Sequence, residues 1–303
     1  MEIISKRHPY KFYLALILMS IFFLGIGGVF INASIRDGND IGFLLFFIFV
    51  ILTIYLNYSF IKNSSKIILN KKGILCKNIF YKWDELTEIK LTGKRESVFN
   101  IPSECALLTF NNLTSIQIFD DLYSNSSEMK YFIQEIVINK KENIEYLNLK
   151  IDLIDIEREL FIPYKGNAVF SFRGIFMWGL ILVFILPLLS TEKSINWKSY
   201  LFIISFSIVW FIFNSLAMNY FEISKKYFVV KNYYFFWKKN IFHITEIKEI
   251  VFESHGKQPN TLRLISKKFN SKSYPAGTLT NKIWLDMKTE LESKNIIVRN
   301  ECI

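Results

Sequence analysis

Two pairs of adjacent carboxylates are the first residues that could carry chemistry, Asp84-Glu85 and Asp120-Asp121. In a pair of carboxylates, one can act as a general acid and the other as a general base. Neighbouring residues on a strand, however, point to opposite faces and cannot act on the same substrate. Asp84-Glu85 therefore predicts a polar turn that leads into a strand. Asp120-Asp121 follows an apolar run and predicts the turn that ends it. Neither pair predicts a catalytic site.

The histidines and cysteines lack the spacing of a metal site. The six residues concerned are His8, His243, His255, Cys76, Cys105 and Cys302. An odd number of widely separated cysteines is typical of a reducing compartment. We therefore predict no catalytic residue, no metal and no cofactor, and a protein that is not an enzyme.

Pairs of lysines beside apolar segments are a stronger signal. Basic clusters near a bilayer attract acidic headgroups, with about 1 kcal/mol per residue close to the surface. Candidates for binding an anionic lipid or a partner are Lys71, Lys72, Lys225, Lys226, Lys238, Lys239, Lys267 and Lys268. The alternative is that these lysines lie in solvated loops and only set the membrane topology. The sequence leaves both open.

Charge is distributed unevenly along the 303 residues, whose formal net charge is +10. Residues 62–165 carry fifteen Lys and Arg against fifteen Asp and Glu, whereas residues 219–303 carry fifteen against eight. The two polar segments therefore predict different partners. The surplus is modest and no nucleic-acid-reading motif occurs, so we predict no nucleic-acid partner.

Long charge-free segments must position these groups. Phe12–Ile35 and Ile41–Ile61 carry no charge and flank a short polar break. Each segment reaches the roughly 20 residues that a helix needs to cross a bilayer. The sequence therefore predicts a transmembrane hairpin over residues 1–62. A second pair of charge-free runs, divided by a polar loop near residue 193, predicts another over residues 166–218 and four spans in all.

The distribution of basic residues predicts the orientation. Lys6, Arg7 and Lys11 precede the first hairpin, and Lys62 and Lys66 follow it. The positive-inside rule then places the N-terminus and residues after 62 on the cytoplasmic side, with the C-terminus there too. We expect a multi-pass protein of the bacterial inner membrane whose first partner is the lipid bilayer. No oligomeric state is predicted.

Short strands and one amphipathic helix follow each hairpin. Modules are predicted over residues 63–141 and 219–303, joined by a connecting segment at 142–165 that could be strand or helix. The predicted helices are Ser126–Lys140 and Asn281–Lys294. The predicted strands are Lys66–Asn70, Ile74–Lys77, Ala106–Phe110, Ser115–Phe119, Tyr227–Val230, Tyr233–Trp237, Ile247–Phe252 and Leu262–Ile265.

Three short matches predict that hairpin and module are duplicated in tandem. Pro9-Tyr10-Lys11 recurs from Pro163, and Lys71-Lys72 with Lys77-Asn78 recurs from Lys225, both at an offset of 154 residues. Thr87–Lys90 recurs from Thr245 at an offset of 158. The offsets predict four extra residues near Trp237–Asn240 in the second copy.

The module resembles the bacterial PH-like domain that follows a membrane hairpin. The residues that carry the resemblance are Lys72-Gly73-Ile74 and the run from Trp83 to Ile89. The resemblance implies a small antiparallel β-barrel capped by the C-terminal helix. The second half departs from the pattern, because Tyr227 stands where the first has Gly73 and the Trp-Asp-Glu turn is missing.

Two functions fit this architecture. The first is a non-enzymatic scaffold that presents two cytoplasmic modules to a partner such as another membrane protein. The second is recognition of anionic lipid headgroups by the basic second module. A transporter or channel component is a distant third, because intramembrane charges usually mark ion paths and the runs have none.

Overall fold

A computed structural model describes residues 2–38, 40–96, 102–111, 114–143, 153–190, 196–254, 256 and 258–302. The chain divides into two compact units, Met1–Tyr146 and Leu147–Ile303. Each unit mixes helices with mainly antiparallel sheets. Both have the same element order, in which a strand precedes a helical hairpin and short strands and a helix follow it.

The first unit begins with β1 (Glu2–Ile4) and a π-helical turn (Pro9–Leu14) that leads into α1 (Ala15–Asp37). The hairpin closes with α2 (Ile41–Asn63). Seven strands and a helix complete it: β2 (Ile67–Asn70), β3 (Gly73–Cys76), β4 (Ile79–Lys82), β5 (Leu86–Lys90), β6 (Lys94–Glu96), β7 (Pro102–Phe110), β8 (Ser115–Phe119) and α3 (Ser126–Phe132), which continues as a π-helix over Ile133–Ile138.

The first hairpin is inserted between two neighbouring strands. β1 lies before the helices and pairs antiparallel with β2, which lies after them, so that Ile3 faces Leu69. The sheet then continues in the order β1-β2-β3-β4. The module therefore contains residues from both sides of the hairpin.

Helices α1 and α2 pack closely at two glycines. A Cβ on Gly42 would lie 2.3 Å from the Phe30 carbonyl oxygen, and one on Gly27 would lie 3.1 Å from the Phe46 ring. Only Gly27 of the glycine-rich stretch in α1 faces α2, because a Cβ on Gly25 or Gly28 meets nothing within 4 Å. Such close approach is typical of helices packed in a bilayer.

The second sheet of this unit has β5 and β6 on one side of β7 and β8 on the other. Phe132 and Ile133 of the terminal helix are fully buried, as the apolar spacing within the predicted helix Ser126–Lys140 indicates. Ile136, Trp83 and Ile89 are only half-buried. Trp83 has a hydrogen-bonding role as well, since its indole N–H donates to the Asn70 carbonyl at 2.8 Å.

The second unit contains helices α4 (Leu153–Arg158), α5 (Phe172–Ser190), α6 (Trp197–Ser215) and α7 (Asn281–Ser293). Its strands are β9 (Ile162–Tyr164), β10 (Asn219–Ile223), β11 (Tyr227–Asn232), β12 (Lys239–His243), β13 (Ile247–Glu253), β14 (Thr261–Ser266), β15 (Ser271–Pro275) and β16 (Ile297–Asn300). The connecting segment thus ends in a helix and a strand, while residues 144–152 lie outside the described residues.

The second hairpin repeats the insertion. β9 pairs with β10 across the hairpin, with Pro163 opposite Glu222, in a sheet of order β12-β11-β10-β9. A second sheet has the order β15-β14-β13-β16, in which β16 is parallel to β13. Helix α7 buries Trp284, Met287 and Leu291 completely, as its spacing predicts.

The predicted strand at Tyr233–Trp237 is wrong. Aromatic residues favour strands, but the Asn232 side chain accepts hydrogen bonds from the N–H groups of Tyr234 (3.1 Å) and Phe235 (3.0 Å). This side-chain turn takes the backbone out of the ladder. The partner strand of β11 is instead β12, which begins at Lys239.

Only one of the three sequence matches joins equivalent positions. Lys71-Lys72 and Lys225-Lys226 occupy the same turn, where Asn70 Oδ1 and Ser224 Oγ each accept two backbone N–H groups. Pro9 starts a helix whereas Pro163 lies in β9. The 3₁₀ turn at Trp83–Glu85 corresponds to Ile244–Glu246, because each begins with an N–H bonded to the second lysine of that turn. Between that lysine and the 3₁₀ turn the second unit therefore has seven more residues than the first, of which four lie in the β11–β12 loop and three lengthen the two strands.

Three described helical stretches are long and apolar enough to cross a membrane: Pro9–Asp37, Ile41–Lys62 and Trp197–Ser215. The apolar stretch of α5, Phe172–Leu186, is shorter. The predicted count of four spans is therefore not reached within the described residues. The strand ladders described in each unit form separate sheets and no closed barrel.

Replacement of Phe132 by alanine tests the core of the first unit. Because the ring is fully buried, the loss of contacts and the resulting cavity should cost about 3–5 kcal/mol. We expect rapid proteolysis within residues 63–141 of the full chain, with membrane insertion unchanged. Ile138→Ala is the matched control, since Ile138 is 48% exposed on the same helix. Equal protease resistance of the two variants would show that Phe132 does not hold the core.

Candidate functional site

Four candidate lysines lie at turns remote from the hairpin helices. Lys71 and Lys72 are exposed at the β2–β3 turn, and Lys225 and Lys226 at the β10–β11 turn. β2 and β10 each start close to the end of a hairpin helix, so these turns lie about 13–17 Å further along the strand. Lys226 is also engaged within its unit, because its Nζ lies 3.4 Å from an Asp155 carboxylate oxygen.

Lys267 and Lys268 lie at a third remote turn, between β14 and β15. The backbone N–H of Lys267 donates to the Glu246 carbonyl at 2.7 Å. From this turn β15 runs back toward the hairpin, where Ala276 forms an isolated bridge with Met218. The turn therefore lies at the end of the sheet that faces away from α5 and α6.

Lys238 and Lys239 are the exception, because they are the last two residues of a loop that contacts the hairpin. We call residues 233–239 the aromatic–basic loop. The Tyr234 ring packs 5.0 Å from Phe211, and the Trp178 indole N–H donates to the Tyr234 hydroxyl at 3.0 Å. The eight candidate lysines therefore do not form one site, and of the eight only this pair belongs to a loop that contacts the hairpin helices.

The aromatic–basic loop combines two surface chemistries. Phe236 and Trp237 are 83% and 68% exposed, and the exposed ammonium groups of Lys238 and Lys239 follow them directly. Aromatic rings with basic side chains are typical of segments at a membrane–water interface. The loop can thus place rings among headgroups and cations among their phosphates.

A cleft of about 240 Å³ opens in the first unit between β3, β4 and β8. Cys76 and Tyr123 are among its lining residues. Burial raises the pKa of the Cys76 thiol, although the neighbouring Lys77 opposes the shift. The Tyr123 hydroxyl donates to the Ser65 carbonyl at 2.6 Å, and burial raises its pKa. Both groups are therefore protonated near neutral pH and do not form an activated nucleophile.

A larger cleft, of about 400 Å³, lies at the base of the second hairpin. Its walls come from the start of α5, including Arg173, and from the end of α6, including Trp210. Residues 258–260 and 276–279 complete it. We call it the hairpin-base cleft. The sequence did not indicate this site, because Arg173 is a single cation at the start of a charge-free run. The one sequence feature that could have indicated it is a single arginine between phenylalanines, Phe172 and Phe176.

Asp120, Asp121 and two of the three histidines have structural partners. Asp120 pairs with the buried Lys130 at 2.6 Å, and Asp121 pairs with Lys11 at 2.5 Å. The ring nitrogens Nδ1 of His8 and His243 each accept a backbone N–H at the start of a helical turn. His255 lies outside the described residues. No three His, Cys, Asp or Glu side chains in the described part of the chain are placed to hold a metal ion.

Comparison with protein-family models and with curated protein sequences finds no match to this chain. Its function must therefore be argued from the two hairpins, the aromatic–basic loop and the clefts.

Proposed function

We propose that this chain is a non-enzymatic, multi-pass protein of the bacterial inner membrane that holds two cytoplasmic modules of the PH-like type as a platform for a partner. The insertion of each hairpin between neighbouring strands carries the proposal. Since both ends of a hairpin feed one sheet, they lie on the same side of any membrane that the helices cross. Each module is thereby attached to its helices through two backbone connections.

Contacts at the base of the first hairpin make this attachment tight. Arg7 donates from Nε and Nη2 to the Ser64 carbonyl, at 3.3 and 3.2 Å, and so joins the start of the hairpin to its end. The Lys11–Asp121 pair then joins the hairpin to the module. A module held in this way is presented at a fixed orientation, as a docking platform requires.

The base of the second hairpin is held by amide side chains. Asn232 donates to the Ser215 carbonyl at 2.8 Å, and Asn219 donates to the Pro275 carbonyl at 2.8 Å. The Tyr233 hydroxyl donates to the Gly166 carbonyl. These bonds link the end of α6 to β11 and the start of β10 to β15, and so support a fixed position of the second module on its own helices.

The fourth span and the PH-like type of each module are also part of the proposal. Helix α5 extends to Ser190 and pairs in sequence order with α6, which supports a second spanning hairpin. Each unit has two sheets and a helix after its last antiparallel strand, which supports the PH-like type. The shared element order supports tandem duplication.

Cysteine accessibility in intact cells tests the topology. In a cysteine-free background, Lys71→Cys and Lys225→Cys should react with an impermeant maleimide only after the inner face is exposed. Arg36→Cys and Lys198→Cys, beside the two hairpin turns, should react from outside. Labelling of position 71 or 225 in intact cells would contradict the proposed orientation.

The second candidate function is recognition of anionic lipid headgroups by the second module. The aromatic–basic loop favours it, because Phe236, Trp237, Lys238 and Lys239 are exposed beside the hairpin. The remote lysine turns do not add to this surface. Recognition would therefore depend on this loop and not on all eight lysines.

A spin label tests whether the aromatic–basic loop meets the lipid. In full-length protein reconstituted into anionic vesicles, a label at Trp237→Cys should collide more with oxygen, which concentrates in lipid, than with an aqueous nickel reagent. A label at Lys225→Cys is the control and should show the reverse. The Lys238→Gln/Lys239→Gln variant should reduce the lipid exposure at 237, because about 1 kcal/mol of attraction per lysine is lost. Identical collision ratios at 237 and 225 would rule out lipid contact by the loop.

A further inference from the structure

The hairpin-base cleft contains a cation without an internal partner. Arg173 lies on the first turn of α5, and its Nε is buried with no hydrogen-bond acceptor among the described residues. The lining residues of the cleft include no carboxylate. An arginine side chain stays charged, and its buried donors normally bind a carboxylate, a phosphate or a carbonyl. Among the described residues, the cleft therefore supplies no anionic partner for Arg173.

A second donor lies in the same cleft. The Trp210 indole nitrogen is buried with no acceptor among the described residues, and an indole N–H can only donate. The Asn214 amide, by contrast, is satisfied by the Trp210 carbonyl at 2.9 Å. The cleft thus offers two unpaired donors and no carboxylate, which is complementary to an anion with several acceptor oxygens.

The arginine at the base of the first hairpin provides a comparison. Arg7 donates twice to the Ser64 carbonyl, and its guanidinium carbon lies 4.9 Å from the Phe12 ring centroid. Its charge is therefore used in holding the hairpin together. Arg173 has no such bond among the described residues, so a purely structural role does not account for its donors.

The surrounding backbone is shaped to seat the Arg173 side chain. A Cβ on Gly277 would lie 2.8 Å from Arg173 Cδ and 3.1 Å from Pro259 Cβ, so glycine leaves the room that the arginine occupies. The start of α5 is fixed as well, because Ser171 Oγ accepts the Gly174 N–H at 3.1 Å. The cation is thus positioned by a turn, a helix start and a glycine.

The other wall of the cleft is apolar and exposed. Phe172, Phe176 and Phe213 are 88%, 50% and 63% exposed, and Phe176 packs 5.2 Å from Trp210. These rings lie on the two apolar hairpin helices, one of which is long enough to span a membrane. A ligand with an anionic head and hydrocarbon chains would match both walls, whereas a free inorganic anion would use only one.

We propose that the hairpin-base cleft binds the phosphate headgroup of an anionic membrane phospholipid, with Arg173 as the cation and Trp210 as a second donor. The lipid chains would lie along the exposed aromatic face of α5 and α6. This proposal rests on the proposed function in one respect, namely that α5 and α6 cross the membrane. It places specific lipid recognition at a cleft that is distinct from the eight lysines.

Native mass spectrometry of the full-length protein in detergent tests the proposal. The wild type should retain phosphatidylglycerol at least tenfold better than phosphatidylcholine. Arg173→Gln should abolish this preference, Arg173→Lys should restore part of it, and Trp210→Phe should weaken it less than Arg173→Gln does. Lys225→Gln removes one exposed charge elsewhere in the same unit and should leave the preference intact.

Gly277→Ala provides a test that keeps the arginine. The added methyl should displace the flexible Arg173 side chain without unfolding the unit, and phosphatidylglycerol retention should fall although the charge is unchanged. Inorganic phosphate at millimolar concentration should neither protect the protein thermally nor displace the lipid.

Three results would overturn the proposal: equal phosphatidylglycerol retention by wild type and Arg173→Gln, unchanged retention by Gly277→Ala, or full displacement of the lipid by inorganic phosphate. A failed topology map would instead overturn the proposed function. The two failures are therefore distinguishable.

Discussion

Pairing between the strand before each hairpin and the strand after it is the constraint on which the rest of the structure depends. β1–β2 and β9–β10 can form only when the two helices of a hairpin return the chain to its starting side. The chain therefore enters and leaves each hairpin at the same pair of hydrogen-bonded strands. Further strands add to this pair in the order β3-β4 in the first unit and β11-β12 in the second. The length of each strand then sets how far its turns lie from the hairpin.

The same constraint determines which candidate surfaces lie near the hairpin helices and which lie far from them. The turns at the far ends of β2 and β10 hold their lysines away from the hairpin helices. The β11–β12 loop, by contrast, contacts α5 and α6, and Arg173 lies at the start of α5 itself. Trp210 and Arg173 line the cleft at the hairpin base, whereas Trp237 and Lys238 belong to the loop that contacts the hairpin through Tyr234. We propose that both pairs contact the lipid. The remote lysines lie at turns away from the hairpin helices, and Lys226 is paired with Asp155 there.

Local sequence signals predicted the elements that depend on local physics. The first hairpin, the Lys71-Lys72 turn and the buried face of α7 follow from charge-free length, turn residues and helical spacing. β1 and β16 were not predicted, since three- and four-residue strands acquire their role only from distant partners. The Tyr233–Trp237 run was mistaken for a strand because its aromatic content favours one, while the Asn232 side chain decides otherwise. Arg173 could not be identified from the sequence, because only the fold shows that its buried Nε has no acceptor among the described residues.

Disulfide trapping of the first ladder in native membranes tests the central claim most directly. Ile4 and Ile68 face each other on the outer side of the β1–β2 pair, where directly opposed Cβ atoms lie about 4.5–5.5 Å apart. In a cysteine-free background, Ile4→Cys/Ile68→Cys should form a disulfide under mild oxidation, and the diagonal pair Glu2→Cys/Ile68→Cys should form far less. Equal cross-linking of both pairs, or none in either, would contradict the insertion of the hairpin between neighbouring strands.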